Sequence, residues 1–514
     1  MFCFDLLYPD EKKRQEGRRT GKVNEKLIRD LQLEELVANQ IISQKEYEVL
    51  CSEIPFLPSD REVIVFRQEI LKDLADNASF IRSYVDFCSS LRDNVPGKRV
   101  NIWESGEPVY KKLQEHVDIL RINYLAVCSA NLKAVFRSKT LAGLAEFVEG
   151  EECKTRLQEI IALLEAFLDA GAVSFTVKYT YGQVMESVKV QQLFPENRYV
   201  MKEKGILKRK TVDLEQLISA EGNLILRNNL NEIYAKTVVK LCDVASRLNG
   251  VFVSAFKRAE QDLMYYQAGI KILNLYRSLG VPVCVPGIKA GYEGHISCFN
   301  LYPVRLLARC SKSHVPGCSL EIQGNDYGND KGRISIITGS NSGGKTTFLQ
   351  ALGTAQLFAQ LGFCVPARSF QVCAAPYIGS LFANAEDICT IHGKLEQELV
   401  EIREAAEHLK AGSLILMNEI MSTTSEEEGT NLMAEVLRAF SRTHSNVIFV
   451  THLSRLADLA QKGELLLEEG ESAVNYVAVR RREEDGSVRK TYRIEPGRPD
   501  RNIYEEEFSK RLGL

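Results

Sequence analysis

The chain has 514 residues, too many for one ordinary hydrophobic core, and a prior of about 150 residues per domain leads to roughly three or four units. Charged residues make up 26% of it, yet the formal net charge is only -3, which excludes a globally basic surface and leaves any nucleic-acid contact to local patches. Its 13 cysteines form no C-x-x-C pair, MFCFDLLYPDEKKR lacks the parts of a signal peptide, and no run approaches the roughly 20 apolar residues of a membrane helix, so reduced thiols, a cytoplasmic location and no membrane are expected.

Residues 1–50 are mixed in charge, with EKKRQEGRRTGK near the start, and specify no fold. No proline occurs between Pro108 and Pro195 or between Pro195 and Pro282, as expected of long helical arms that proline would break. Within them SFTVKYTY alternates Phe175, Val177, Tyr179 and Tyr181 with Ser174, Thr176, Lys178 and Thr180, the period of a half-buried strand. A small sheet inserted between two helical passes is expected. MKEKGILKRK follows, crowding Lys202, Lys204, Lys208, Arg209 and Lys210 into ten residues, either a solvated loop or a phosphate-contacting one. Leu241, Val244, Leu248, Val251, Ala255, Ala259, Asp262, Tyr266 and Ile270 then recur at three- and four-residue steps, the stripe of an amphipathic helix packed on its neighbour.

From about Arg333 the texture changes. RISIITG, TTFLQALGTAQLFAQLG, SLILMNE and SNVIFVTH alternate apolar strands with a helix, the pattern of buried parallel strands and crossovers. Gly339 to Thr346, GSNSGGKT, satisfies G-x-x-x-x-G-K-[ST] with a strand before it and a helix after it. Gly343 and Gly344 let backbone N–H groups converge on phosphate oxygens, Lys345 reaches the β- and γ-phosphates, and Thr346 offers a hydroxyl to Mg²⁺. Gly339, Ser340, Asn341, Ser342, Gly343, Gly344, Lys345, Thr346 and Thr347 are therefore the expected ATP-binding residues.

SLILMNEI supplies Asn418 and Glu419 at the end of another buried strand. Glu419 is expected to orient or deprotonate attacking water. Asn418 stands where a carboxylate usually holds Mg²⁺ through water; the amide keeps the geometry and loses the charge, which either weakens metal binding or is a tolerated neutral change. Thr451 and His452 follow NVIFV, where His452 is either a packing residue or a switch sensing the γ-phosphate, the latter favoured by the strand pattern. His295, Cys298, Cys310, His314 and Cys318 fall within twenty-four residues, but their irregular spacing does not specify a zinc site.

These pieces in this order resemble the MutS family of ATP-dependent DNA-structure sensors. TGSNSGGKTT is similar to that family's T-G-P-N-M-G-G-K-S-T, including Asn341. NEIMSTTSEEEGT resembles D-E-L-G-R-G-T-S-T-x-D-G with Thr424, Ser425 and Gly429 retained, and VTHLSRL resembles A-T-H-x-x-E-L. NYVAVRRREEDGSVRKTYRIEPGRPDRNIYEEEFSKRLGL is similar to the closing hairpin and helix, LPSDREVIVFRQEILKDLADN to the start of the helical core, and DLMYYQA to the end of its returning lever helix.

The resemblance implies an α/β P-loop ATPase domain of the ABC type at the C-terminal end, over 291–514. An all-α core and lever domain over 51–290 precedes it, with a clamp-like β insertion at about 174–210. Two copies are expected to face each other with ATP and Mg²⁺ at the interface, clamping mismatched, branched or junction DNA by shape in repair or recombination. Lys178, Lys202, Lys204, Lys208, Arg209 and Lys210 are the expected backbone contacts. In HGKLEQELVEI, Gly393 and Lys394 replace the Ser-Thr pair that completes the neighbouring subunit's site; Lys394 either supplies charge across the dimer or is a surface lysine, and Thr424 and Ser425 are further across-dimer positions.

Fifty leading residues are too few for the family's mismatch-reading domain, and Phe147-Val148-Glu149, although it spells the family's Phe-x-Glu wedge, is expected to lie inside a helix. A short form without that domain is the expectation. Two other functions remain open at this stage: a MutS-like ATPase that clamps a protein or ribonucleoprotein such as the ribosome, and a nucleotide-binding scaffold with little hydrolysis.

Overall fold

The computed structural model describes residues 4–18, 23–93, 109–169, 172–179, 185–194, 198–201, 210–213, 224–291, 294–313, 322–340, 342–383, 393–422, 424–465, 467–468, 471–482 and 488–497. Contacts divide them into two units, Phe4 with Asn77–Glu260, and Asp5–Asp76 with the residues from Gln261 onward. The divisions between these units fall at 76/77 and 260/261. The physical reason is that the leading segment is tied to residues far along the chain. Tyr266 Oη donates to the Leu6 carbonyl at 2.6 Å, Gln350 Nε2 to that of Asp30 at 2.8 Å, and Gln360 Nε2 to that of Pro58 at 2.9 Å.

The first unit is built from helices Ala78–Ser90, Val109–Ser129, Lys139–Glu149, Glu151–Leu168 and the leading part of Leu224–Ser278. Phe80, Tyr84 and Phe87 fall on one helical face at steps of four and three and are all buried, with Phe87 edge-on to Phe256 at 5.3 Å. Phe147 of the Phe-Val-Glu triplet packs 5.3 Å from Phe4, Val148 is fully buried, and Glu149 accepts the Leu132 N–H at 2.5 Å. All three side chains are engaged within helix Lys139–Glu149 and its packing.

In the long helix the buried face is not the expected one. Val238, Ala245, Asn249, Val253 and Phe256 are buried, whereas Val244 and Val251 are each 51% exposed and Leu248 is 43% exposed. The cause is a polar pair that an apolar pattern hides. Asn123 Nδ2 donates to Asn249 Oδ1 at 2.6 Å, and Asn123 Oδ1 accepts the Arg92 N–H at 2.7 Å, which turns the Asn249 face inward. The expected and buried faces coincide only from Ala259 through Tyr266 to Ile270.

The expected small sheet is a pair of hairpins: β1 (Ala172–Tyr179) antiparallel to β2 (Met185–Phe194), and β3 (Arg198–Met201) antiparallel to β4 (Lys210–Asp213). Lys178 lies on β1 and Lys210 opens β4, while Lys202, Lys204, Lys208 and Arg209 lie outside the described residues.

The second unit holds two sheets. Its remaining strands in chain order are β5 (Gly287–Lys289), β6 (Ile296–Leu301), β7 (Asn325–Gly328), β8 (Ile334–Thr338), β9 (Ser369–Cys373), β10 (Ile378–Phe382), β11 (Leu414–Asn418), β12 (Asn446–Val450), β13 (Ala473–Arg482) and β14 (Val488–Pro496). The larger sheet runs β10-β11-β12-β8-β13-β14, parallel through β13 and closed by the antiparallel β13–β14 hairpin; the smaller runs β5-β9-β6-β7. Strands β8 and β12 are buried along their whole length, which explains why their sequences are continuous apolar runs. Helix Lys345–Leu361, which follows β8, is buried on nearly every side. Its glutamines meet backbone groups: Gln350 and Gln360 reach the leading segment, and Gln356 reaches the Cys373 carbonyl at the end of β9. At the β10 edge Val23 bridges Ile378, and Asn24 donates to the Ser380 carbonyl at 2.7 Å. The leading segment is thus built into this unit. Among the described residues no helix is long and apolar enough to cross a membrane.

Candidate functional site

The loop between β8 and helix Lys345–Leu361 has a backbone that side chains resist. Gly339 has φ +129, Ser342 φ +61 and Gly344 φ +90. A Cβ at Gly339 would lie 2.9 Å from the Ala478 Cβ, and one at Gly343 3.0 Å from both that atom and the Ser340 carbonyl oxygen. Only glycine lets β13 pass this close beneath the loop. Asn341 lies outside the described residues. Lys345 opens the helix with its ammonium 2.6 Å from the Gly339 carbonyl and 3.0 Å from that of Ser340. Burial pushes its pKa down to about 8; Glu419 works against that and Arg480 adds to it.

Thr346, on the first turn, donates its hydroxyl to Asn418 Oδ1 at 2.9 Å, joining the loop to the end of β11. Glu419, the next residue, adopts φ +53, a conformation that costs a non-glycine residue roughly 1–3 kcal/mol. Its backbone N–H donates to the Val450 carbonyl at 2.9 Å, and its Oε1 lies 2.9 Å from His452 Nε2. The hydrogen bond with His452 holds the Glu419 carboxyl below its ordinary value, against the opposing effect of burial. Thr451 is fixed by its N–H to the Ile337 carbonyl at 3.0 Å. Lys345, Thr346, Asn418, Glu419 and His452 thus meet at the C-terminal ends of β8, β11 and β12.

The family model "MutS domain V" matches residues 335–504, the stretch that carries all of these groups. A DNA mismatch repair protein MutS of Caldicellulosiruptor saccharolyticus is 25% identical over 435 residues, 83% of this chain and 45% of the relative. Endonuclease MutS2 of Clostridium botulinum is 33% identical over 186 residues, 35% of this chain and 21% of the relative. Residues 335–504 are thus a MutS-type domain. The chain's matches cover less than half of these relatives' own lengths, and the stretch shared with a DNA mismatch repair protein MutS of Syntrophomonas wolfei, 30% identical over 134 residues, covers 16% of that protein.

The departures from the MutS pattern have local accounts. Met421 stands two residues after Glu419 where the motif carries glycine, and it takes φ +60; Glu398, from helix Lys394–His408, accepts its N–H at 2.8 Å and holds the turn. Glu398 lies in the HGKLEQELVEI stretch, yet sequence reasoning weighed only Gly393 and Lys394 there. Gly393 caps that helix at its N-terminus and Lys394 is its first residue. Ser425 caps helix Glu426–Ser441 by accepting the Glu428 N–H at 3.3 Å, and Thr424 donates to the Met421 carbonyl at 3.2 Å. At Gly429 a Cβ would sit 2.8 Å from the Thr424 hydroxyl, which would have to turn away.

Beside the loop lies a cavity of 520 Å³ lined by Ile322, Asn325, Gly344, Thr347, Phe348 and Tyr492 among others. Tyr492, in β14, takes φ +56 and is held by Asn325, whose amide donates to the Tyr492 carbonyl at 3.1 Å and accepts the Ile494 N–H at 2.8 Å. Neither residue was singled out from sequence, although both lie near motifs that were. Arg480, also missed, follows Ala478 by two and shares its strand face.

Among the described residues no group of three metal-ligating side chains forms. Cys298 Sγ faces the Asn325 carbonyl at 3.9 Å, His295 pairs with Asp330 at 2.9 Å, and Cys310 sits in helix Val304–Ser313; His314 and Cys318 are outside the described residues.

Proposed function

We propose that this chain binds and hydrolyses ATP, that two copies pair with nucleotide between them, and that the pair clamps mismatched, branched or junction DNA. The observation that carries the reading is the buried Lys345 ammonium, held only 2.6 and 3.0 Å from two backbone carbonyls inside a glycine cradle. A cation kept in that setting suits an incoming phosphate, toward which it exchanges carbonyl oxygens for phosphate oxygens. Thr346 Oγ1 would hold Mg²⁺ directly and Asn418 Oδ1 through water, and the ion, when bound, would neutralise charge on the β- and γ-phosphates. The base has room in the cavity walled by Tyr492.

Glu419 is ionised because its carboxyl is held low, so it orients the attacking water more than it removes a proton early. A loose phosphoryl-transfer transition state asks for little more. His452 fixes that carboxylate. In the paired form Gly393, Lys394, Thr424 and Ser425 face the partner's nucleotide, and the cations from Lys178 to Lys210 contact DNA backbone; the relatives named as DNA mismatch repair proteins support this arm of the reading. We further assign 291–514 to an ABC-type ATPase fold and the helices before it to core and lever.

The test is ATP turnover by the full chain, with binding to homoduplex, mismatched and four-way-junction DNA measured with and without ATP across a salt series. Turnover that falls at least about 100-fold in Glu419→Gln while ATP binding persists supports hydrolysis at this site. Junction preference that shifts with ATP supports the clamp; no DNA binding at low salt moves the partner to a protein or ribonucleoprotein. Asn418 favours one second reading, a nucleotide-binding scaffold, since a neutral amide sits on Thr346 where a charge is usual. Tight ATP binding with near-zero wild-type turnover would establish it.

A further inference from the structure

Ser340 is a junction in the loop between β8 and helix Lys345–Leu361. It is 4% exposed, its carbonyl accepts both the Lys345 ammonium at 3.0 Å and the Gly343 N–H at 3.2 Å, and its hydroxyl accepts Arg480 Nε–H at 2.8 Å. Arg480 arrives on β13, two residues beyond the Ala478 that lies against Gly339 and Gly343. A side chain from the neighbouring strand therefore grips the loop at the residue to which Lys345 is tethered.

Resting on the nucleotide-binding reading, we propose that Arg480 is a positioning residue for ATP, locking Ser340 so that the cradle is already formed when phosphate arrives. The resembling motif carries proline at this position, and proline restricts φ covalently. Serine imposes no such restriction. Here a directional bond from a charged donor, stronger than a neutral one, provides it instead. A loop ordered in advance spares ATP the cost of ordering it, which appears as affinity.

The experiment is calorimetric titration of the full chain with ATP and Mg²⁺. Wild type and Lys345→Ala come first: a wild type that binds no ATP overturns the nucleotide reading and this inference with it. If wild type binds, Arg480→Met and Ser340→Ala are each expected to weaken binding about tenfold. The double variant is expected to be no weaker than either single one, because both remove the same bond. Ser340→Pro placed in Arg480→Met is expected to recover affinity to within about threefold of wild type, which general damage from losing the arginine would not allow. Wild-type affinity in Arg480→Met, losses that add, or no recovery with proline overturns the role of Arg480 and leaves the nucleotide site standing.

Discussion

Raising the pH should weaken ATP binding through one residue. Burial pushes the Lys345 pKa down to about 8. Phosphate favours its charged form, so bound nucleotide raises that pKa. The sign follows directly: affinity is fully present below about 8, where the free protein is already protonated, and falls about tenfold per unit above it. Between pH 7.5 and 9.5 the free-protein population shift amounts to about 25-fold, or about 2 kcal/mol. Equilibrium titration with ATP under chelator, then repeated with Mg²⁺, measures it, with Lys345→Met as the control. A wild-type affinity that stays flat across this window refutes the reasoning, as does an equal fall in the control.

Gly343→Ala places a Cβ 3.0 Å from both Ala478 Cβ and the Ser340 carbonyl, so the loop must shift; ATP affinity should fall more than about tenfold while the melting temperature without nucleotide moves by less than about 4 °C. Asn418→Asp returns charge beside Thr346, and the Mg²⁺ concentration for half-maximal turnover should drop by about tenfold; an unchanged value means that the amide is neutral in effect. Asn123→Ala removes the amide that serves both Asn249 Oδ1 and the Arg92 N–H, and denaturant unfolding should show a loss of roughly 2–3 kcal/mol.

What could be read along the chain was what local physics dictates. That GSNSGGKT makes a tight glycine loop between a strand and a helix was legible because glycine spacing and backbone direction are local properties, and the apolar strands leading to Asn418, Glu419 and His452 were legible for the same reason. The proline-free stretches likewise announced helices. Which face of the long helix turns inward was not legible, because one polar contact between Asn123 and Asn249, 126 residues apart, overrides the apolar stripe that includes Val244 and Val251. Nor could the leading segment be placed, since Leu6, Asp30 and Pro58 find their partners hundreds of residues later. Arg480 and Glu398 acquire meaning only when strand order brings β13 under the loop and a helix against Met421. Residue types and their spacing determine chemistry within one turn or strand; contacts between distant segments depend on how sheets and helices stack, and that is a property of the folded whole.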